Sequence, residues 1–228
     1  MADVPLMHLQ TFVYSPPPGL PEPLHADADL LAFDKPAGLL TVPGRDPERA
    51  DCLETRVKAA WPGALLVHRL DMATSGVIVF ARNRRAQRHL GLQFERRIAR
   101  KTYLARVLGA PAADSGVVDL PIAADWERRP LQKICGETGR PSRTRWRVVE
   151  RRADASLMAL RPFTGRSHQL RVHLAEIGLP ILGDEFYAPA EALAGVPRLM
   201  LHAARLALRR PADGSWIILR APRPTSFA

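Results

Sequence analysis

Apolar and polar positions succeed one another along this chain with two different periods, and their order outlines a mixed fold. The apolar run from Asp29 to Phe33, closed by Pro36 and Gly38, predicts a short buried strand. Asp51 is placed to cap a helix with Glu54 reaching back to it, and Leu53, Val57 and Ala60 supply its buried stripe. Val77 to Ala81 predicts a second strand, after which Asn83 caps a helix that turns Ala86, Leu90 and Phe94 inward. The opposite face holds Arg84, Arg85, Arg88 and Arg96 and runs on through Arg97, Arg100 and Lys101, either as a solvated face or as a docking ridge. From Arg143 to Val149, three arginines (143, 145 and 147) alternate with Thr144, Trp146 and Val148, the pattern of a strand with one wet face. Leu157 to Leu160 reads as another strand, and Leu170, Leu174 and Ile177 keep helical spacing until Gly178 and Pro180 stop it. Strands and helices interleave without a regular β-α-β rhythm, so the expected class is α+β.

Composition narrows the function. The 228 residues and 46% hydrophobic content suit one domain with a sizeable core. Lys and Arg together number 33 against 23 Asp and Glu, a formal charge of +10 that points to a polyanionic partner. Lys occurs only at positions 35, 58, 101 and 133; biased base composition explains Arg in place of Lys, but not the shortage of acids. Cys52 and Cys135 lack the spacing of a disulfide framework or a zinc knuckle, so a cytoplasmic protein is expected. No stretch approaches the ~20 apolar residues of a membrane span, and none resembles a signal peptide. Residues 1–24, rich in proline, read as an extended tail along the body, and residues 25–228 as one catalytic domain.

Two stretches concentrate chemistry. His68-Arg69-Leu70-Asp71-Met72-Ala73-Thr74-Ser75-Gly76 sets one carboxylate beside an arginine, before a glycine and an apolar run. Thr164-Gly165-Arg166-Ser167-His168-Gln169-Leu170-Arg171-Val172-His173 is too rich in Arg, His and Gln for a plain core helix. Together they resemble the signature of the RluA family of pseudouridine synthases. Asp34-Lys35-Pro36-Ala37-Gly38-Leu39-Leu40 resembles that family's first motif, and Lys101-Thr102-Tyr103-Leu104-Ala105-Arg106-Val107 its tyrosine-bearing strand. Gly183-Asp184 with Tyr187, then Leu201-His202-Ala203, are similar to its closing motifs, in the same order. Met72-Ala73, Val42-Pro43-Gly44-Arg45, and Asp119-Leu120-Pro121 followed by Asp125-Trp126 look like the short branch that acts on tRNA and 23S rRNA.

The resemblance implies the pseudouridine synthase fold, a mixed, mostly antiparallel sheet with flanking helices and a central cleft. It implies an isomerase that turns uridine into pseudouridine in a tRNA anticodon stem-loop and a 23S rRNA stem-loop, as a monomer. A single-substrate synthase or a non-catalytic RNA-binding protein are the alternatives. No cofactor is expected, since the sequence offers neither a dinucleotide fingerprint nor a phosphate-binding loop nor a metal cage. The family's longer members carry an N-terminal S4 module; its expected absence leaves RNA selection to the catalytic domain.

By the same resemblance Asp71 is the reacting carboxylate, acting at C1′, at C6 or on the 2′-proton, and Arg171 is its charged partner. Burial protonates a carboxylate, whereas a guanidinium within about 4–6 Å favours the charged form. Tyr103 is the surface on which an everted base stacks. Arg69 either fills the gap that the base leaves or contacts a phosphate. His68, Lys101, Arg166, His168 and Gln169 complete the expected RNA-facing set, with Gln169 and Arg166 orienting the cleft loop or binding phosphate. Lys35 is structural or phosphate-contacting. His168 and His173, five apart, cannot share a metal through one helix face, and His25, Asp27 and Asp29 read as a turn, not a metal cluster.

Overall fold

The run Ser75–Ala81 is buried at every position, which only a strand covered on both faces requires, and the rest of the molecule is organised around it. The computed structural model describes residues 13–227. Its elements are β1 (Pro23–Ala26), β2 (Leu30–Lys35), α1 (Leu53–Ala60), β3 (Leu65–Leu66), β4 (Ser75–Ala81), α2 (Arg84–Glu95), β5 (Arg100–Leu108), β6 (Ser115–Asp119), β7 (Ile122–Ala124), β8 (Gln132–Ile134), β9 (Arg143–Glu150), β10 (Ala155–Pro162), α3 (Gln169–Glu176), β11 (Leu201–Arg209) and β12 (Trp216–Arg220). One sheet runs β1-β2-β4-β11-β5-β10-β9-β6, with β3 added on β4 and β12 on β11. The pairing of β4 with β11 is parallel and the other pairings are antiparallel, so the class is α+β with a mixed, mostly antiparallel sheet. β7 and β8 form a separate hairpin. No helix among the described residues is long and apolar enough to cross a membrane.

The parallel crossing is where the site is built. Ser75 and Gly76 lie opposite His202 and Ala203, and Gly76 has φ 113°, a conformation that side chains rarely adopt. A Cβ there would overlap the Ala203 backbone, so only glycine lets the two strands approach. Three apolar clusters fill the space around the sheet, and Tyr103 packs against two of them, one under β10 and α3 and one under β2 and α1.

Local corrections follow from hydrogen bonding. The cap of α1 is Cys52, not Asp51: its thiol accepts from Thr55 N and the Thr55 hydroxyl accepts from Cys52 N. Asp51 instead holds Arg56 through both oxygens at 2.6 and 2.8 Å. Ala60 and Ile177, expected inside, are exposed because α1 and α3 have ended or are ending there. Asn83 caps α2 through Ala86 N as expected. Asp27 makes the predicted turn, its carboxylate accepting from Asp29 N and Leu30 N. Among the described residues regular structure begins at Pro23, inside the stretch expected to be tail; before it, Tyr14 and the Pro17 and Gly19 carbonyls bond to the body around Asp51 and Arg56. Residues 1–12 of that stretch lie outside the described residues.

Candidate active site

The loop bearing Asp71 is clamped from behind. Lys35, fully buried, donates to the carbonyls of Pro36, Leu39 and Met72 at 2.8, 2.7 and 3.0 Å. Gly38 N also bonds the Met72 carbonyl at 2.9 Å, and the Thr41 hydroxyl donates to the Leu70 carbonyl at 2.7 Å. The backbone on both sides of Asp71 is thereby fixed, and the Asp71 carbonyl accepts from Thr74 N to close a turn. Burial pulls the Lys35 ammonium down to about 7, with the Asp71 charge acting in the other direction. All three of its donors are spent on carbonyls, which removes Lys35 from the RNA-contacting set and makes it the anchor of the loop that bears Asp71.

Asp71 lines a cavity of about 690 Å³ together with His68, Arg69, Lys101, Tyr103, Arg166, His168, Gln169 and Arg171. The two motifs far apart in sequence thus meet, as their chemistry demanded. The cavity volume falls in the usual range of about 300–1,000 Å³ for small-ligand pockets. Burial and the neighbouring Asp71 charge both raise the Tyr103 phenol well above its ordinary range, so it stays protonated. Lys101 donates to the Thr164 carbonyl at 3.1 Å, and burial lowers it to about 8.

Arg171, expected as the charged partner of Asp71, gives its hydrogen bonds to another carboxylate. It binds Asp184 through two parallel bonds of 2.8 and 2.5 Å, and both side chains are buried. Phe186 and Tyr187 cover the guanidinium at 4.9 and 5.1 Å. Its charge still acts on the site, because Asp71 is among the groups that hold Arg171 protonated. Among the described residues the basic side-chain nitrogen within 4.0 Å of the Asp71 carboxylate is His168 Nε2. His168 occupies the left-handed region at φ 52° as the residue before α3. Its Nδ1 meets the Tyr187 hydroxyl at 2.6 Å, and that hydroxyl accepts from Gln132 N at the start of β8. Burial lowers the imidazole, and the same cause lifts the Tyr187 phenol to about 12.

Two further expectations change. Gln169 uses its whole amide internally: the oxygen accepts from the Thr164 hydroxyl and Arg166 N, and the nitrogen donates to the Arg143 carbonyl and the Thr144 hydroxyl. It orients the 164–169 loop and has nothing left for RNA. His68 accepts from Val79 N through Nε2 at 3.2 Å and stacks on Phe94 at 4.5 Å. Burial drives it to about 3, so it is a neutral strut and not a phosphate ligand. Arg69 is exposed at the cavity edge, and Arg166 lines the cavity with a buried, unpartnered Nε. The sequence marked Asp184 and Tyr187 only as parts of a closing motif; no local pattern announces that a residue beyond α3 will neutralise Arg171.

The neutral histidines make the fold acid-sensitive. His68 at about 3, His202 at about 4, and His168 and His173 lowered by burial refuse protons that the unfolded chain takes up below its ordinary value of about 6.5. Unfolding free energy should therefore fall as pH drops from about 6.5, each histidine contributing up to about 1.4 kcal/mol per pH unit. Urea titrations at pH 7.5 and 5.0 test this, and equal midpoints would show that these rings are protonated in the folded state.

Comparison with known proteins agrees with the geometry. Residues 29–176 match the model of the RNA pseudouridylate synthase family. The chain is 51% identical over 200 residues to the dual-specificity RNA pseudouridine synthase RluA of Escherichia coli strain K12, covering 87% of this chain and 91% of that protein. The chain belongs to this family. The RluA of Vibrio vulnificus is 49% identical over 195 residues, 83% of this chain and 78% of that one. Among solved structures, human RNA pseudouridylate synthase domain containing 1 superposes with a TM-score of 0.77 at 28% identity, covering 92% of this chain and 87% of that one. As a pseudouridine synthase the chain is an isomerase acting on uridine in RNA.

Proposed function

We propose that the cavity receives one everted uridine and that Asp71 is the group reacting with it. The observation that carries this reading is an aspartate held by backbone clamps on both sides at the wall of a cavity of about 690 Å³, with a protonated tyrosine beside it. The isomerisation breaks the bond from C1′ to N1, turns the uracil, and forms a bond from C1′ to C5; C5 loses a proton and N1 gains one. Asp71 serves as nucleophile or base near C1′ and C2′. Tyr103 offers its ring to the everted base, a contact worth about 1–3 kcal/mol against the cost of unstacking. Arg69 at the edge enters the vacated gap or meets a phosphate. Arg166, with its unsatisfied Nε, and Lys101, with two donors to spare, contact the RNA backbone.

The substrates proposed are a tRNA anticodon stem-loop and a 23S rRNA stem-loop, read by a monomeric domain in the cytoplasm. Support comes from the dual-specificity relatives and from the branch-like motifs around Met72, Val42 and Asp125. Pseudouridine mapping of total RNA from cells with and without the protein tests it. Sites lost from both RNAs are expected; a loss confined to one would restrict the enzyme to that substrate.

A further inference from the structure

The three arginines of β9 have a setting that the active site does not use. Trp146, Leu160, Tyr103, Leu206 and Leu219 turn inward, so their neighbours along each strand turn to the opposite face. Arg145 on β9 lies directly across from Arg161 on β10, and Arg205 on β11 directly across from Arg220 on β12. Thr102 of β5 pairs with Arg205 and lies between the two arginine pairs, so one face carries a cationic band across five neighbouring strands. At about 4.8 Å per strand the band is roughly 19 Å wide. Arg143 has Asp119 at 3.6 Å, whereas Arg145, Arg147, Arg161, Arg205 and Arg220 have no carboxylate within ion-pair distance among the described residues. The side chains feel one another: after burial, Arg220, Arg161 and Arg100 are what lower Arg205.

Like charges directly opposite on a sheet destabilise it, so this arrangement works against folding unless anions arrive. The band lies on the sheet face opposite Tyr103 and reaches the rim of the cavity where β9 meets the end of β10. Phe163, which lines the cavity, has the Arg143 and Arg161 guanidinium carbons 5.6 and 5.9 Å from its ring.

We propose that this face is a second RNA-binding surface, which takes the phosphate backbone of the duplex stem beside the loop that enters the cavity. It rests on the reading of the cavity as the uridine site, and it extends the contact from one nucleotide to the stem. A row of cations at strand spacing suits a regular polyanion, because phosphates need charge and not base-specific geometry.

The test is the triple variant Arg145→Gln/Arg147→Gln/Arg161→Gln, with binding to a uridine stem-loop measured against salt. Wild type should show a steep fall in affinity with salt, and the variant a slope shallower by about 2, since each lost phosphate contact removes roughly 0.7–0.9. Its thermal midpoint should be equal to or above wild type, as repulsion is relieved, and turnover at saturating RNA should be retained. A loop oligonucleotide without the stem should bind both proteins equally. Unchanged affinity and slope on the stem-loop would overturn the proposal, as would an equal loss on the stemless loop. Asp71→Asn in the same assay separates the two readings: if it still turns over, the cavity reading fails, whatever the band does.

Discussion

Asp71→Asn is expected to bind a uridine stem-loop with near wild-type affinity and to release no tritium from C5-labelled RNA, a fall in turnover of about 10⁴-fold or more. Binding persists because, on the proposed reading, the affinity comes from the surrounding cations and stacking surfaces, which the substitution leaves alone. Folding also persists. Asp71 is half-exposed at the cavity wall and its loop is held through the backbone of Leu70 and Met72, not through its own carboxylate. Asparagine keeps the shape and removes only the oxygen to which the proposed chemistry is assigned. Turnover within tenfold of wild type would assign the chemistry to another group.

Asp184→Ala is expected to be the most damaging substitution to the fold near the site. It strands Arg171, whose guanidinium is buried between Phe186 and Tyr187, and removes the acceptor for Phe186 N and Tyr187 N. Breaking a buried pair on one side costs about 3–5 kcal/mol. The double variant Arg171→Leu/Asp184→Leu removes both charges and should recover most of that stability, because exchanging a buried pair for apolar groups is often neutral. It should not recover turnover, since the Arg171 charge that acts on Asp71 is then gone. Chemical denaturation read beside tritium release separates the two effects. A double variant as active as wild type would make the pair a purely structural bridge.

Much of this arrangement was legible in the sequence, for identifiable reasons. The period-two alternation around Arg145 requires a half-wet strand, and β9 is one. Asn83 before an amphipathic run can satisfy only a helix start, and it caps α2. The two motifs around Asp71 and Arg171 declared themselves by residues too polar for a core, and they line one cavity. What escaped depends on long-range partners. Cys52 outranks Asp51 as a cap because Arg56 takes the carboxylate, a choice that no propensity encodes. Lys35 and Gln169 are polar side chains beside a catalytic loop, and sequence alone cannot tell a ligand-facing amine or amide from one spent on backbone carbonyls. Arg171 points toward Asp71 in motif logic but answers first to Asp184, which lies beyond α3 and is brought back by the turn at Gly183.

The most direct measurement is a structure of Asp71→Asn in complex with an unmodified uridine stem-loop. The account predicts the target uridine everted into the cavity, its C1′ about 3–3.5 Å from the residue 71 side chain and its base against Tyr103. A uridine still stacked in the RNA, or seated with its sugar turned away from position 71, would contradict it.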